Sequence, residues 1–221
     1  MFSLGHVRRI LRPVVVRWLK RRSEAVVTTQ VEGLALKVFP GVFHPKYFGS
    51  SGILAKFVSS LPLRDRSFLE IGCGSGVVAL CAARAGAEVT AVDINPDAVQ
   101  CTLLNAAANG LRVMSCVSDL FSALEDKRYD AVAWNPPFLP GTPNSPLEAA
   151  FYGGPNLEVI RRFAAEVRDH INPGASVFTI LSTDIEIESI ERLFRDSGFE
   201  VSRALTESWG LGETMVILCA R

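Results

Sequence analysis

The stretch "FLEIGCGSGVVAL", residues 68–80, decides the fold. Its opening letters are apolar apart from Glu70 and predict a buried β-strand, and the small apolar residues at its end predict a helix. Between them stand Gly72, Gly74 and Gly76, which allow a tight turn and let a ligand lie against bare backbone at a helix N-terminus. The sequence therefore predicts a strand–turn–helix unit that carries a ligand site.

The glycine spacing separates this turn from a dinucleotide-binding one. A dinucleotide fingerprint reads G-x-G-x-x-G, whereas here the spacing is G-x-G-x-G and Val77 stands where the third glycine is expected. Glu70 adds a carboxylate just before the glycines, which disfavours a pyrophosphate and favours a cationic amino group. The alternative is a tight βα turn that binds nothing.

Two aspartates follow the next two predicted strands. Asp93 ends "VTAVD" 21 residues after Gly72, where a neighbouring strand places a carboxylate on ribose hydroxyls. Asp119 in "CVSDLF" is placed to accept a hydrogen bond from the exocyclic amine of an adenine. The alternatives are a turn aspartate at 119 and, near Pro96, a helix cap formed by Asp93 or Asn95.

A fourth strand end is marked by "YDAVAWNPPFLPG", residues 129–141. Pro136 and Pro137 cannot donate to a sheet ladder, so the strand must stop near Asn135. Asn135 thus stands on rigid backbone at the edge of the sheet, directly after the strand ends, and the ring of Phe138 lies close by in the sequence. We predict that Asn135 holds a polar group of a ligand.

From residue 67 onward, strand and helix patterns alternate, which predicts a parallel sheet with helices on both faces. Only "SWGLGE" separates the last two strands, so they should form a hairpin with one antiparallel strand. The predicted strands are 67–71, 88–93, 113–117, 131–134, 176–181, 200–207 and 214–220. The predicted helices are 53–60, 76–85, 96–109, 156–170 and 186–197, and residues 25–39 favour a β-hairpin or two short strands.

Charge is unevenly distributed, although bases and acids are equal at 23 each. Residues 1–23 hold seven bases and no acid, and the rest holds 16 bases against 23 acids. Apolar residues recur at spacings of three and four in this arm, which predicts an amphipathic helix. One interpretation is that the helix packs on the rest of the domain with its basic face in solvent. The alternatives are that it contacts nucleic acid, a ribosomal partner or an anionic surface, or that it is a transit peptide. The domain boundaries that follow are 1–24, 25–52 and 53–221.

The five cysteines are odd in number and contain no CxxC pair, which indicates free thiols in a reducing compartment. The sequence has no metal-ligand spacing. Its longest apolar run near the N-terminus, residues 14–16, is too short for a membrane span or a signal-peptide core. A cytoplasmic protein is therefore expected.

Four segments, "LEIGCGSG", "AVDINPDAV", "SDLF" and "NPPF", follow one another in a recognisable order. Through them residues 42–220 resemble the class I S-adenosylmethionine (SAM)-dependent methyltransferases of the (N/D)PP(Y/F) type, the HemK-like and methyltransferase small-domain proteins. The resemblance implies a Rossmann-like α/β fold with a seven-stranded, mostly parallel sheet. Its implied strand order is 3-2-1-4-5-7-6 with strand 7 antiparallel and helices on both faces.

The resemblance also implies SAM as the cofactor and a role for each matching residue. Residues 70–74 would bind the methionine part of SAM, residues 93–94 its ribose, and residues 119–120 its adenine. The implied cofactor-binding residues are Glu70, Gly72, Cys73, Gly74, Asp93, Ile94, Asp119, Leu120 and Asn135. The implied catalytic residues are Asn135, Pro136 and Phe138, of which the first two would accept both hydrogens of a target NH₂ group while the ring stacks on it.

The implied reaction is methyl transfer to a planar amide or aromatic amine nitrogen, in a glutamine of a release factor or ribosomal protein or in an RNA base. One departure concerns the loop "VFHPKYFGSS", where glutamine methyltransferases carry acidic residues and a threonine. Here Lys46, Tyr47, Gly49 and Ser50 occupy those places, and Ser50 or Ser51 would substitute for the threonine. The alternatives are a small-molecule N-methyltransferase, a nucleotide-binding oxidoreductase and a non-catalytic scaffold.

Overall fold

A computed structural model describes residues 25–45, 49–209 and 213–221. The predicted basic arm, residues 1–24, lies outside the described residues, as do Lys46 and Tyr47. The strands are β1 Val27–Val31, β2 Leu34–Val38, β3 Ser67–Ile71, β4 Glu88–Asp93, β5 Met114–Val117, β6 Tyr129–Trp134, β7 Ile171–Ser182, β8 Val201–Trp209 and β9 Glu213–Ala220. The helices are α1 Gly49–Ser59, α2 Val77–Arg84, α3 Pro96–Ala108, α4 Pro146–Ala149, α5 Glu158–Glu166 and α6 Ile187–Asp196, and a 3₁₀ turn Val167–His170 extends α5.

The main sheet has the order β5-β4-β3-β6-β7-β9-β8. Counted from β3, this is the expected order 3-2-1-4-5-7-6, and the prediction is confirmed. Strands β5, β4, β3, β6 and β7 pair in parallel, and β9 is antiparallel to both of its neighbours. Parallel pairing aligns the carboxyl ends of the central strands along one edge of the sheet, where ligands bind in folds of this class.

Apolar side chains fill both faces of the sheet, as a doubly covered sheet requires. Along β3, Phe68 packs into the cluster shared with α1 and α2, and Leu69 packs into the cluster shared with α5 and α6. This alternation follows from the two-residue period of a strand. On the second face, Trp134 stacks on Phe163 of α5 with ring centroids 4.1 Å apart. The end of β6 is therefore anchored in the core.

The predicted hairpin at residues 25–39 is confirmed as β1 and β2, and Asn105 of α3 and Asn109 just after this helix fix it to the main domain. Asn105 accepts from the backbone N–H of Lys37 (2.8 Å) and donates to the carbonyl oxygens of Lys37 (2.8 Å) and Ser75 (2.9 Å). Asn109 accepts from the N–H of Ala35 and donates to its carbonyl. The hairpin thus positions the loop that follows it, residues 39–45, near the glycine turn.

The main departures from the predicted elements are in α1, α4 and β7. Helix α1 begins at Gly49, whereas the sequence predicted a start at 53. Gly49, Ser50 and Ser51 have weak helix propensity and no apolar pattern, so the sequence carries no helix signal at these positions. The short α4, capped by Ser145, was not predicted, and β7 begins at Ile171 instead of 176. In each case tertiary contacts outweigh the local signal.

All five cysteines are free thiols, and four of them are buried, in agreement with the sequence. Across the described ranges, no helix is long and apolar enough to cross a membrane.

Candidate active site

Strand register brings three predicted site residues to one edge of the sheet. Ile71 at the end of β3 pairs with Trp134 at the end of β6, so Gly72 and Asn135 leave the sheet side by side. Asp93 ends β4, the neighbour of β3 on its other side. Adjacent strands lie about 4.8 Å apart, so these three positions surround a single small cleft.

The glycine turn depends on missing side chains. Gly72, Gly74 and Gly76 have φ angles of 66°, 52° and 82°, which a residue with a Cβ adopts only with strain. A Cβ on Gly76 would also lie 2.8 Å from Oγ1 of Thr102 on α3. The Thr102 hydroxyl donates to the carbonyl of Gly74 and to Sγ of Cys73, each at 3.3 Å. Thr102, which sequence reasoning did not single out, therefore fixes the back of the turn.

Glu70 is buried beneath this turn. Its Oε2 accepts a 2.8 Å hydrogen bond from the backbone N–H of Ala79 in the first turn of α2. Burial raises the pKa of the Glu70 carboxyl well above its usual range, the charge of Asp93 raises it further, and the Ala79 N–H opposes both. A cationic group brought to the turn would offset that desolvation and favour the carboxylate form.

Asp93 holds the turn from the neighbouring strand. Its two oxygens accept from the backbone N–H groups of Gly74 and Asn95, each at 2.9 Å. The cap of α3 is Asn95, whose side chain accepts from the N–H of Asp97, so capping does not occupy Asp93. Desolvation raises the Asp93 pKa against these backbone donors. Beside it, Ile94 is 59% exposed, which leaves an apolar residue with little protein cover.

Asp119 has a partner that the sequence did not reveal. Its carboxylate forms a 3.0 Å ion pair with Arg162 of α5, and both side chains are about half exposed at 48% and 46%. Arg162 lies 43 residues away in the segment "NLEVIRRF". Leu120 follows in the left-handed region with φ 51° and is buried. Asp119 and Leu120 thus lie shortly after β5, as predicted, and the Asp119 carboxylate is already paired with Arg162.

Asn135 is oriented by two hydroxyl groups. Its Nδ2 donates to Oγ of Ser50 and Oγ of Ser51, both at 3.1 Å, and both serines are buried in the first turn of α1. Within the described parts of the chain, no donor bonds to Oδ1 of Asn135 or to the carbonyl of Pro136. Two neighbouring acceptor oxygens are therefore available at the end of β6.

The loop after Asn135 is braced by the segment "FYGGP". The Leu139 N–H donates to the carbonyl of Phe151 (2.9 Å), and the Gly153 N–H donates to the carbonyl of Leu139 (3.0 Å). A Cβ on Gly153 would overlap the carbonyl oxygen of Pro137, so a glycine is required there. Phe138 is half buried between the main core and an aromatic cluster at the cleft. Contacts within the protein therefore hold the loop in place.

The cleft also has an aromatic wall from the hairpin side. Phe43, in the loop after β2, lies 5.4 Å from Phe151 between ring centroids, and its Cβ is 3.8 Å from where a Cβ on Gly74 would stand. The wall joins the glycine turn to the acceptor loop. The sequence analysis placed Phe43 in a loop without a role and did not single out Phe151.

Comparisons with known proteins agree with this geometry. The family model for the methyltransferase small domain matches residues 33–202. A Methanocaldococcus jannaschii protein, whose name assigns it to the protein N5-glutamine methyltransferases, is 32% identical over 85% of this chain and 96% of its own length. Methyltransferase HEMK2 of Homo sapiens is 32% identical over 68% of this chain and 75% of its own length.

Solved structures give the same result for the fold. The T. thermophilus 16S rRNA N2 methyltransferase RsmC, in complex with AdoMet and guanosine, has a TM-score of 0.65 and 25% identity over 89% of this chain and 50% of that chain. The E. cuniculi Mtq2–Trm112 complex superposes with a TM-score of 0.65 at 20% identity, covering 82% of this chain and 98% of that chain.

Proposed function

The chain belongs to the methyltransferase small-domain family, and on that premise we propose that it methylates a planar NH₂ nitrogen, first of all the side-chain amide of a protein glutamine. It is a SAM-dependent methyltransferase. The observation that carries the proposal is the pair of acceptor oxygens at Asn135 and Pro136, beside the glycine turn.

The residues around the turn fit SAM. Gly72 and Gly74 leave backbone exposed where a ligand can approach, and buried Glu70 beneath them favours a cationic amino group. Asp93 would accept from the ribose hydroxyls, and exposed Ile94 would be covered by the adenine. Cys73, Asp119 and Leu120 would line the same site, with Asp119 accepting from the adenine amine alongside its bond to Arg162.

An amide nitrogen is a poor nucleophile because its lone pair is delocalised into the carbonyl. When bound, SAM supplies an electrophilic methyl group. Asn135 Oδ1 and the Pro136 carbonyl would each accept one N–H of the target, which fixes the nitrogen and directs its lone pair out of the amide plane. Phe138 would stack on the planar group. Catalysis then depends on positioning and electrostatics more than on a general base.

A glutamine target is supported by relatives that match over most of their own length. The M. jannaschii protein, and a release factor glutamine methyltransferase of Geobacter sulfurreducens at 28% identity over 70% of its length, both carry that activity in their names. A ribosomal or release-factor protein in the cytoplasm is therefore the proposed partner. The second candidate is an RNA guanine, which the RsmC structure with guanosine favours.

The test is transfer of a tritiated methyl group from SAM into a lysate treated with the purified full chain. We expect label in the protease-sensitive fraction, and N5-methylglutamine after enzymatic digestion to amino acids. Ribonuclease-sensitive label would replace the first candidate by the second. Label only in small molecules, or none in any fraction, would overturn both.

A further inference from the structure

We propose that Ser50 and Ser51 are positioning residues that hold the side-chain amide of Asn135 with its oxygen towards the methyl acceptor. The proposal rests on the proposed function, since it assigns how the acceptor clamp is oriented. It comes from one geometric match: the amide nitrogen carries two hydrogens, and two hydroxyl oxygens lie 3.1 Å from it.

The orientation of an asparagine amide matters because its two ends have opposite polarity and nearly the same shape. With Oδ1 towards the cleft, Asn135 accepts an N–H from the target. With Nδ2 towards the cleft, a donor would meet the donors of the target NH₂, and the nitrogen could not be held. Only one of the two orientations permits the reaction.

The serines stabilise the productive orientation. In that orientation each hydrogen of Nδ2 has its own acceptor, and the target supplies the hydrogen bond to Oδ1. Ser50 and Ser51 are 7% and 9% exposed, so water has little access to replace their hydroxyls. A hydroxyl can also donate, so the serines would pair Oδ1 equally well in the flipped orientation, and it is the target NH₂, which needs an acceptor, that excludes that orientation. Without the serines the Nδ2 hydrogens would be desolvated and unpaired, and the productive orientation would be destabilised.

Placement of the serines is a property of α1. The helix begins at Gly49, so Ser50 and Ser51 lie in its first turn and reach the end of β6 from 85 and 84 residues away. Apolar residues further along α1, among them Ile53 and Leu54, are buried in the core and fix the helix axis. The hydroxyls are therefore presented by a rigid element.

The experiment compares the Ser50→Ala/Ser51→Ala double variant in two backgrounds, wild type and Asn135→Asp. Single-turnover transfer at saturating SAM should fall about ten- to hundredfold in the wild-type background, the scale of unpaired buried donors. In the Asn135→Asp background the further loss should be at least about threefold smaller, because either carboxylate oxygen can face the target and only the donors to the inner oxygen are lost.

Ser59→Ala/Ser60→Ala is the matched control. These hydroxyls bond to the carbonyls of Ala55 and Phe57 at the other end of the helix and do not touch Asn135, so the rate should stay at the wild-type value. Equal losses in both backgrounds would mean that Ser50 and Ser51 act by packing, and no loss would mean that they do not orient the amide. A parallel loss of SAM affinity would assign them to the cofactor site. Each of these results overturns the proposal.

A second measurement needs no turnover. The Asn135 side-chain NH₂ resonances, identified by their absence in Asn135→Asp, should exchange slowly with water in the wild type and at least about tenfold faster in the double alanine variant. Unchanged exchange would overturn the proposal even if methylation proceeds. Slow exchange with no methyl transfer into any fraction would overturn the proposed function alone.

Discussion

The glycine turn and the acceptor loop lie side by side, yet they are built on opposite principles. In the turn the carboxylates already bond to backbone N–H groups of the turn and its two flanking helices: Glu70 accepts from Ala79, and Asp93 from Gly74 and Asn95. In the loop after Asn135, contacts with distant segments hold the Asn135 side chain and the loop backbone. They leave Oδ1 of Asn135 and the carbonyl oxygen of Pro136 available as acceptors. The polar contacts of the glycine turn, the cofactor half of the site, therefore fall within residues 70–105. The loop after Asn135, the acceptor half, depends on α1 and the "FYGGP" segment, which lie further away in the chain.

The comparison predicts that the largest catalytic effect comes from the acceptor half. Asn135→Ala removes one of two acceptors from a desolvated nitrogen, and the rate of single-turnover transfer should fall by roughly 10²–10³, as for loss of an oxyanion-hole donor. SAM affinity should stay nearly unchanged, since its proposed polar partners lie at the ends of β3, β4 and β5. Asn135→Asp should lose less, because an oxygen still faces the target.

Asn144→Ala, in the exposed part of the same connection, is the control for a changed loop and should transfer at the wild-type rate. A fully active Asn135→Ala enzyme would remove the acceptor clamp from the mechanism. Equal losses of SAM affinity and rate would make Asn135 a structural residue of the cofactor half.

The cofactor half should fail as a unit when its backbone is disturbed. Gly76→Ala places a Cβ at φ 82° and 2.8 Å from Thr102 Oγ1, and we expect a loss of about 3 kcal/mol or more in unfolding free energy together with SAM binding. Gly110→Ala is the matched control, with φ 66° and nothing within 4 Å of its Cβ. It should lose only about 1–2 kcal/mol.

Urea unfolding and SAM titration of both variants separate the cost of a Cβ at positive φ from the cost of its overlap with Thr102. Equal destabilisation would show that the left-handed backbone alone accounts for the loss and that contact with Thr102 adds nothing. Normal SAM affinity in a folded Gly76→Ala protein would contradict the view of the turn as one unit.

The two halves also differ in how far the sequence predicts them. The glycines, Asp93 and Asn135 could be assigned because each is next in the chain to a strand end, and parallel strands bring such ends together. Ser50 and Ser51 were only suggested as substitutes in a loop, since serine and glycine are poor helix formers and give no apolar pattern. Arg162 and Thr102 were missed because their partners lie 43 and 28 residues away. Contacts of that range leave no local signal.

A smaller, cofactor-specific effect is expected at Asp93. Asp93→Ala should weaken SAM binding by about 1–3 kcal/mol, the scale of hydrogen bonds to a charged group. The rate at saturating SAM should change much less, because the acceptor half is untouched. Calorimetry measures the first and single-turnover transfer the second. Asp97→Ala, an exposed aspartate in the first turn of α3, is the control, and equal SAM affinity in the Asp93 and Asp97 variants would remove Asp93 from the site.

The smallest effect concerns the pH dependence of stability in the cofactor half. Because burial raises the pKa of Glu70 in the folded protein, the folded state binds this proton more tightly than the unfolded state does. The contribution of protonated Glu70 to the free energy of unfolding is complete at pH values below the usual glutamate pKa, and it is lost as the pH rises through the raised pKa.

Glu70→Gln keeps an acceptor for the Ala79 N–H and cannot ionise. The free energy of unfolding of the variant, relative to that of the wild type, should therefore increase as the pH rises from acidic to neutral. The variant should also bind SAM more weakly than the wild type. Urea unfolding at several pH values, with exposed Glu88→Gln as control, measures the difference. A stability difference that does not change with pH would show that Glu70 is not held against its own desolvation.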